Sequence, residues 1–439
     1  MSKKIALHTL GCKLNYSETS TIGKNFIDQG FELVDFKSKA DVYLINTCTV
    51  TENADRECRQ IIRSALRKNP EAAIVVTGCY AQLKPEEIAS IEGVDYILGS
   101  KEKFEIFSLL ENLDKKDKPE VFVTSTEEHD KSFGIAASSD SDERTRAFFK
   151  IQDGCDYKCS YCTIPLARGK SRSLQPEQVL KQFNDILQLG YKEIILTGVN
   201  VGDYGKNTGI NLLGLLKKMI EIEGDFRIRI SSIEPNLLND SIIELTAESG
   251  KLCNHFHIPL QSGNNKILSL MQRRYKRELY HDLIYKIKNR IPDAGIGVDV
   301  IVGFPGESYD DFIETYNFLK ELPISYLHVF TYSERENTLS VTIKDKVAHT
   351  EKKKRTNMLR ILSEKKRFEF HQSLLNNCVE VIFEENNING KMKGYSSNYV
   401  RVTHDFNIEF VNSSVLMKIT EAKGDICKGE IMGIKKSVV

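Results

Sequence analysis

The sequence has no surplus of charge, no long apolar run and no leader-like opening. Its 61 Lys and Arg residues balance 61 Asp and Glu residues, which excludes a globally basic nucleic-acid coat while leaving room for local basic patches. No segment approaches the ~18 consecutive apolar residues of a membrane helix, so an integral membrane protein is excluded and no membrane partner is expected. Met1 to Lys4 runs straight into a strand-like segment without an apolar signal core, and the expectation is a cytoplasmic protein. Hydrophobic residues at 41% and charged residues at 28% are ordinary globular values. At 439 residues the chain exceeds one ordinary core, and two or three domains are expected.

Cysteine, by contrast, is present ten times. Because the cytosol keeps thiols reduced, metal binding or catalysis explains them better than disulfides. Cys12, Cys48 and Cys79 form one set, Cys155, Cys159 and Cys162 another, and Cys58, Cys253, Cys378 and Cys427 are scattered. The scattered four read as packed thiols.

The fold class is α/β with a small β-barrel at the end. Over residues 1–113, β-rich runs (Ile5 to Leu10, Val42 to Asn46, Ile74 to Thr77, Tyr96 to Leu98) alternate with amphipathic helical stretches, which predicts an open parallel sheet. Residues 114–146 lose both periodicities around the polar Ser138 to Asp142, and read as a linker. Residues 147–370 carry six strand-then-helix units, enough for a partial (βα)6 barrel with an open side, followed by a basic helical extension. Residues 371–439 switch to short strands with turns at Asn389-Gly390, Lys393-Gly394 and Lys423-Gly424, the pattern of a small closed barrel.

The strongest local signal is Gly154-Cys155-Asp156-Tyr157-Lys158-Cys159-Ser160-Tyr161-Cys162, directly after the first barrel strand. Three thiolates at Cys-x3-Cys-x2-Cys spacing can wrap one soft metal centre. A structural zinc takes four protein ligands, whereas a 4Fe–4S cluster held by three leaves one iron open. A zinc knuckle with a remote fourth ligand is the competing reading. Cys12, Cys48 and Cys79 each stand just past the carboxyl end of an expected strand. In an open parallel sheet those ends share one crevice, so the three can converge on a second metal; three unrelated loop cysteines are the alternative.

The Cys155 motif resembles the radical-SAM superfamily, and both sets together resemble the methylthiotransferase family, in segments spanning essentially the whole chain. The matching segments are Leu10-Gly11-Cys12-Lys13-Leu14-Asn15, Asn46-Thr47-Cys48-Thr49-Val50, Thr77-Gly78-Cys79-Tyr80, Gln152-Asp153-Gly154-Cys155, Ile164-Pro165-Leu166-Ala167-Arg168-Gly169, Leu260-Gln261-Ser262-Gly263 and Gly303-Phe304-Pro305-Gly306-Glu307. The resemblance implies two 4Fe–4S clusters, S-adenosyl-L-methionine, a TRAM-type terminal barrel, a tRNA partner, an electron donor and a sulfur source. Leu-Gly-Cys-Lys-Leu-Asn, Gln-Asp-Gly-Cys and Pro-Leu-Ala-Arg-Gly resemble the branch acting on C2 of N6-threonylcarbamoyladenosine at position 37 of tRNA. Other branches act on isopentenyladenosine in tRNA or on a ribosomal-protein aspartate. A non-catalytic iron–sulfur or zinc RNA-binding protein is the rival from another class.

Cofactor contacts are expected at barrel strand ends, from Gly198, Asn200, Ser232, Glu234, Gln261 and Gly303. Arg168, Lys170 and Arg172 are candidates for the anionic threonylcarbamoyl group. No side chain is singled out as an acid–base catalyst. Phosphate contacts are expected from Arg273, Arg274, Lys276 and Arg277 and from Lys352, Lys353, Lys354, Arg355, Lys365, Lys366 and Arg367, and the terminal barrel, with Tyr395, Tyr399 and Arg401, is expected to present aromatics and cations to unpaired bases.

Overall fold

The computed structural model describes residues 2–48, 52–110, 112–128, 133–138, 145–206 and 208–435. Six parallel strands, β1 Lys4–Thr9, β2 Glu32–Val34, β3 Val42–Thr47, β4 Ala73–Gly78, β5 Tyr96–Leu98 and β6 Glu120–Phe122, form the first sheet in the order β2-β1-β3-β4-β5-β6. VYLINT in β3 and AIVVTG in β4 are buried along their whole length, as central strands covered on both faces must be. One face packs on Ile22 and Phe26 of the helix Lys13–Asp28, the other on Ile62 and Ala65 of the helix Glu52–Lys68.

Residues 114–146 are more than the expected linker. They supply β6 at the edge of the first sheet and β7, Ala136–Ala137, which pairs antiparallel with the first strand of the barrel. The Ala137 N–H donates to Thr21 Oγ1 (3.0 Å), tying that edge to the first domain. Strands this short carry little periodicity, and β2, β6 and β7 escape the sequence, whereas β5, equally short, is marked by its buried apolar run. Ser139 to Asp142 of the polar run lie outside the described residues.

The second domain contains β8 Arg146–Lys150, a short antiparallel pair β9 Gln152–Asp153 and β10 Arg172–Ser173, then β11 Glu193–Thr197, β12 Arg227–Ile230, β13 His255–His257, β14 Gly295–Val302 and β15 Tyr326–Thr331. β8, β11 and β12 are parallel neighbours, as are β13, β14 and β15. Bridges Ile228 to Leu252 and Ser232 to His257 join the two halves, giving the expected six-stranded partial barrel. Ala147, Phe149, Ile194, Leu196, Ile228, Phe256, Val298 and Val300 enter one apolar core. By the two-residue alternation of a strand, Arg146, Lys150, Glu193, Arg227, Arg229, His255, His257, Asp299 and His328 face the other way, into the barrel. Charge, rather than layered aliphatic side chains, lines this interior.

A 25-residue helix, His349–Ser373, leads to β16 Cys378–Phe383, β17 Lys391–Ser396, β18 Arg401–Asp405, β19 Ser414–Lys423 and β20 Ile426–Ile434, which close into a barrel in the order β16-β17-β18-β20-β19. The β17–β18 turn meets the base of the larger barrel. Arg227 donates to the carbonyls of Glu380 (3.1 Å) and Tyr395 (2.7 Å), and Arg229 to those of Ser396 (3.0 Å) and Ser397 (2.8 Å). Glu193 pairs with both guanidiniums, at 2.6 and 2.8 Å. Burial works against its charge, but Arg229 and Arg227 hold its carboxyl well below the usual range. Tyr395 and Tyr399, expected to meet RNA, instead stack on each other (5.1 Å), with Arg146 over Tyr395 (4.1 Å) and His255 against Tyr399 (4.5 Å). They plug the interior because the turn that carries them inserts there. Removing one charge from such a buried set leaves its partners uncompensated, so Glu193→Gln is expected to cost about 3–5 kcal/mol in urea unfolding, with proteolysis freeing the terminal barrel early.

Candidate active site

A buried ionic network joins the first two domains. Glu18, inside the helix Lys13–Asp28, accepts from Arg168 (2.9 Å) and Lys150 (2.9 Å) through Oε1, and from Lys103 (2.5 Å) through Oε2. Arg168 also donates to Asn15 Oδ1 (2.7 Å) and Asp153 Oδ1 (3.0 Å), and Asp153 pairs with Lys150 (3.3 Å) and Arg172 (3.4 Å). Burial opposes ionisation of Glu18, yet Arg168, Lys103 and Lys150 hold it well below the ordinary carboxylate range. This corrects the expectation for Arg168 and Arg172: both are buried on carboxylates and have no face turned to a substrate. Lys170 is exposed.

The network sets the two cysteine groups. Asp153 immediately precedes Gly154-Cys155, and Asn15 donates to the carbonyls of Leu10 (2.9 Å) and Thr47 (3.0 Å), the residues beside the Cys12 and Cys48 loops. Cys12, Cys48 and Cys79 follow β1, β3 and β4, as expected. Gly11 adopts φ +100, and a Cβ there would lie 2.8 Å from Cys48 Sγ, so only glycine lets the two loops meet. Cys79 and Arg168 both act on the Cys12 thiol, which burial raises and Arg168 lowers. Three soft donors beside a guanidinium that favours thiolates fit an iron–sulfur cluster.

Cys155, Cys159 and Cys162 occupy one half-buried loop. Burial pushes Cys155 up to about 11 and Cys162 up to about 12, and a metal is what supplies the charge to deprotonate such thiols. The Tyr157 N–H donates to Cys155 Sγ (3.4 Å), and Arg273 Nη1 to Cys159 Sγ (3.2 Å). Arg273 also pairs with Glu234. It is therefore no phosphate contact, and its place in a run with Arg274 and Lys276 hid this role. Arg274 lies over the Tyr157 ring (3.8 Å), and Arg277 pairs with Glu314. In the second basic run, Arg355 is buried on Glu307 (2.6 Å) and Lys366 on the Leu322 carbonyl (2.7 Å).

Among the expected cofactor residues, Asn200 is the most telling. Both polar atoms of its buried side chain lack a partner among the described residues, while its backbone N–H donates to Gln152 Oε1 (2.9 Å) and Gln152 donates to the Gly154 carbonyl (2.8 Å). An orphaned amide one hydrogen-bond step from the cysteine loop fits a polar ligand. Glu234 is within charge range of Cys155 and Cys159. Gly198 abuts Gln152, Ser232 is half-buried beside the His257 bridge, and Gln261 turns at φ +67 next to Asp299. Gly303 is accounted for otherwise: at φ +72 it packs against the Lys352 stem, where a Cβ would come within 2.4 Å.

Sequence reasoning also missed the barrel interior. His257 Nε2 meets Asp299 Oδ1 (2.9 Å), with the His328 ring 5.4 Å from that of His257. Lys13, the first residue of its helix, reaches the same space. Its surface is open, yet burial and then the Arg229 and Arg146 guanidiniums lower its ammonium to about 8, with Glu193 and Asp299 opposing. Lys13 Nζ lies 5.8 Å from the Tyr399 ring, which stacks on His255, so the lysine enters the barrel interior from the neighbouring domain.

Residues 149–319 match the family model of the radical SAM superfamily, and residues 4–99 match that of uncharacterized protein family UPF0004. A threonylcarbamoyladenosine tRNA methylthiotransferase MtaB of Bacillus subtilis is 40% identical, over 98% of this chain and 96% of its own. The one of Aquifex aeolicus is 43% identical over 84% and 90%. The chain belongs to the radical SAM methylthiotransferase family. It is an enzyme whose cofactors are S-adenosylmethionine and 4Fe–4S clusters. A tRNA-2-methylthio-N(6)-dimethylallyladenosine synthase of Clostridium novyi is 32% identical over 98% and 97%. Among solved structures, the radical S-adenosylmethionine methyltransferase TsrM of Kitasatospora setae aligns with a TM-score of 0.56 at 14% identity, over 75% of this chain and 73% of its own, and shows the shared fold. No helix among the described residues is long and apolar enough to cross a membrane.

Glu18 carries a pH dependence whose sign follows from its lowered carboxyl. Its contribution is present above the ordinary range of an unfolded glutamate, near 4.5, and is lost as pH falls through the lower folded value. Thermal melts followed from about pH 6 down to about pH 2 are expected to fall more steeply for the wild type than for Glu18→Gln, which lacks that contribution at every pH.

Proposed function

We propose that the chain adds a methylthio group to C2 of N6-threonylcarbamoyladenosine at position 37 of tRNA. The observation that carries the reading is the pair of three-cysteine sites, locked on one interface, in a chain 40% identical over nearly its whole length to a relative of that activity. The lower identity to the dimethylallyladenosine relative, 32%, favours the threonylcarbamoyl branch.

In this reading Cys155, Cys159 and Cys162 hold the cluster that works with S-adenosylmethionine, and Cys12, Cys48 and Cys79 hold the second. When bound, these groups supply the radical and the methylated sulfur that aromatic C–H chemistry requires and side chains cannot. The chain's own residues do the positioning. Arg273 donates to Cys159 and anchors Glu234, the orphaned Asn200 amide offers a donor and an acceptor to S-adenosylmethionine, and the Glu18 network fixes one site against the other. The reaction requires an electron donor and a sulfur source, and a tRNA substrate supports a cytoplasmic location.

Anaerobically reconstituted protein is expected to hold about eight irons, and Cys155→Ala about four, with cleavage of S-adenosylmethionine abolished. Cys48→Ala is expected to keep that cleavage and lose the methylthio product. Zinc in place of iron, or product from Cys48→Ala, would refute the assignment of the two sites.

The substrate is tested by mass spectrometry of nucleosides from tRNA incubated with reconstituted enzyme. tRNA bearing N6-threonylcarbamoyladenosine should gain a methylthio group in place of hydrogen, and tRNA bearing isopentenyladenosine should not. Modification of the latter alone, or of a ribosomal protein alone, moves the chain to another branch.

A further inference from the structure

Four strong cations of the barrel interior are already engaged among the described residues. Arg227 and Arg229 are taken up by Glu193 and by carbonyls of the terminal barrel, Arg146 by Glu384 (2.8 Å) and the Tyr395 ring, and Lys150 by Glu18 and Asp153. The Lys13 ammonium has no ion pair or hydrogen bond among the described residues; its one close contact is the Tyr399 ring, 5.8 Å from Nζ. The carboxylates nearest to it are both spoken for, Glu193 by two arginines and Asp299 by His257.

An ammonium with three free donors, held over the same Tyr399 ring as the Arg229 guanidinium (5.0 Å), lacks the anion that two neighbouring positive charges call for. The space it faces also reaches the radical site, because Asp299 lies within charge range both of Lys13 and of Glu234, which pairs with Arg273 beside Cys159. Lys13 follows Cys12 directly. Its ammonium therefore stands over the Tyr399 ring of the barrel interior, one residue along the chain from a cysteine of the first set.

We propose that Lys13 is the anchor for a carboxylate carried by the substrate base, holding it in the barrel interior by charge-assisted hydrogen bonds. This rests on the reading of the substrate as N6-threonylcarbamoyladenosine, whose side group carries that carboxylate. It replaces Arg168, whose donors are consumed at the domain interface, and Arg172, which is buried beside Asp153. An isopentenyl group, having no charge, would leave the ammonium unpaired and be disfavoured for that reason.

The test measures binding of anticodon stem-loop RNA bearing N6-threonylcarbamoyladenosine, as the free acid and as its neutral methyl ester, to the reconstituted holoenzyme. The wild type is expected to bind the acid roughly 10- to 100-fold more tightly, the range of a hydrogen bond between charged groups. Lys13→Gln should bind both equally and raise KM for the acid more than it lowers kcat, and Lys13→Arg should restore part of the preference. A preference retained by Lys13→Gln overturns the proposal while leaving the substrate reading intact, since wild-type turnover of the acid is measured separately. Loss of iron from Lys13→Gln would assign the residue to the adjacent cluster and also overturn it. Wild-type turnover of isopentenyl RNA alone would defeat the substrate reading and the anchor together.

Discussion

The placement of everything chemical in this enzyme depends on Glu18. Its carboxylate is the shared acceptor for Arg168 and Lys150 of the barrel and Lys103 of its own domain, and it sits one and a half turns along the helix that Cys12 and Lys13 begin. Burying such a set is no bargain in free energy, since apolar side chains of the same volume can hold an interface as well. What the ions add is a fixed geometry. Arg168 spans Glu18, Asn15 and Asp153 with one planar fork, so the helix cannot slide on the barrel without breaking several bonds together. In the proposed reaction two cysteine sites on different domains serve one base, and a loosely packed interface would let their separation drift.

The same interface explains why a six-stranded barrel suffices. An eight-stranded barrel fills its interior with aliphatic layers; here the strands turn Arg229, Glu193, His257 and Asp299 inward, and the open side admits Lys13 from the first domain. The base of the space is closed by Tyr399, whose φ of +68 is costly for a residue with a Cβ. The hydrogen bonds from Arg227 and Arg229 to the surrounding carbonyls hold that turn in place. The interior is thus built from three domains, none of which encloses it alone.

The sequence made the architecture legible wherever a pattern ran long enough. Six barrel units, the terminal barrel and both cysteine sets fall where periodicity and strand ends put them, because those features are local. The misses share a physical cause. β2, β6 and β7 owe their existence to neighbours already in a sheet, and nothing within two or three residues announces them. Arg168 and Arg273 looked like free cations because a sequence does not show which carboxylate a guanidinium will find: Glu18 is 150 residues from Arg168, and Glu234 is 39 from Arg273. Tyr395 and Tyr399 have the composition of a base-stacking surface, and only the docking of one domain on another turns them inward.

A net charge of zero therefore conceals a sorted distribution. Cations that look available in the sequence are spent on holding domains together, and one that looks ordinary, the lysine after Cys12, is left unspent in the interior. The two kinds of position recognise RNA differently. Contacts made to phosphates at the surface compete with counterions and weaken steeply as salt rises. A charge in an enclosed, low-dielectric space is screened far less and acts at full strength on whatever enters. For an enzyme that must tell one modified adenine from another on otherwise similar stem-loops, discrimination placed in the interior is independent of how firmly the backbone is gripped. Neutrality of the whole chain is then compatible with selectivity for an anionic group, since selection by a single local, unpaired charge, as proposed for Lys13, needs no net excess of cations.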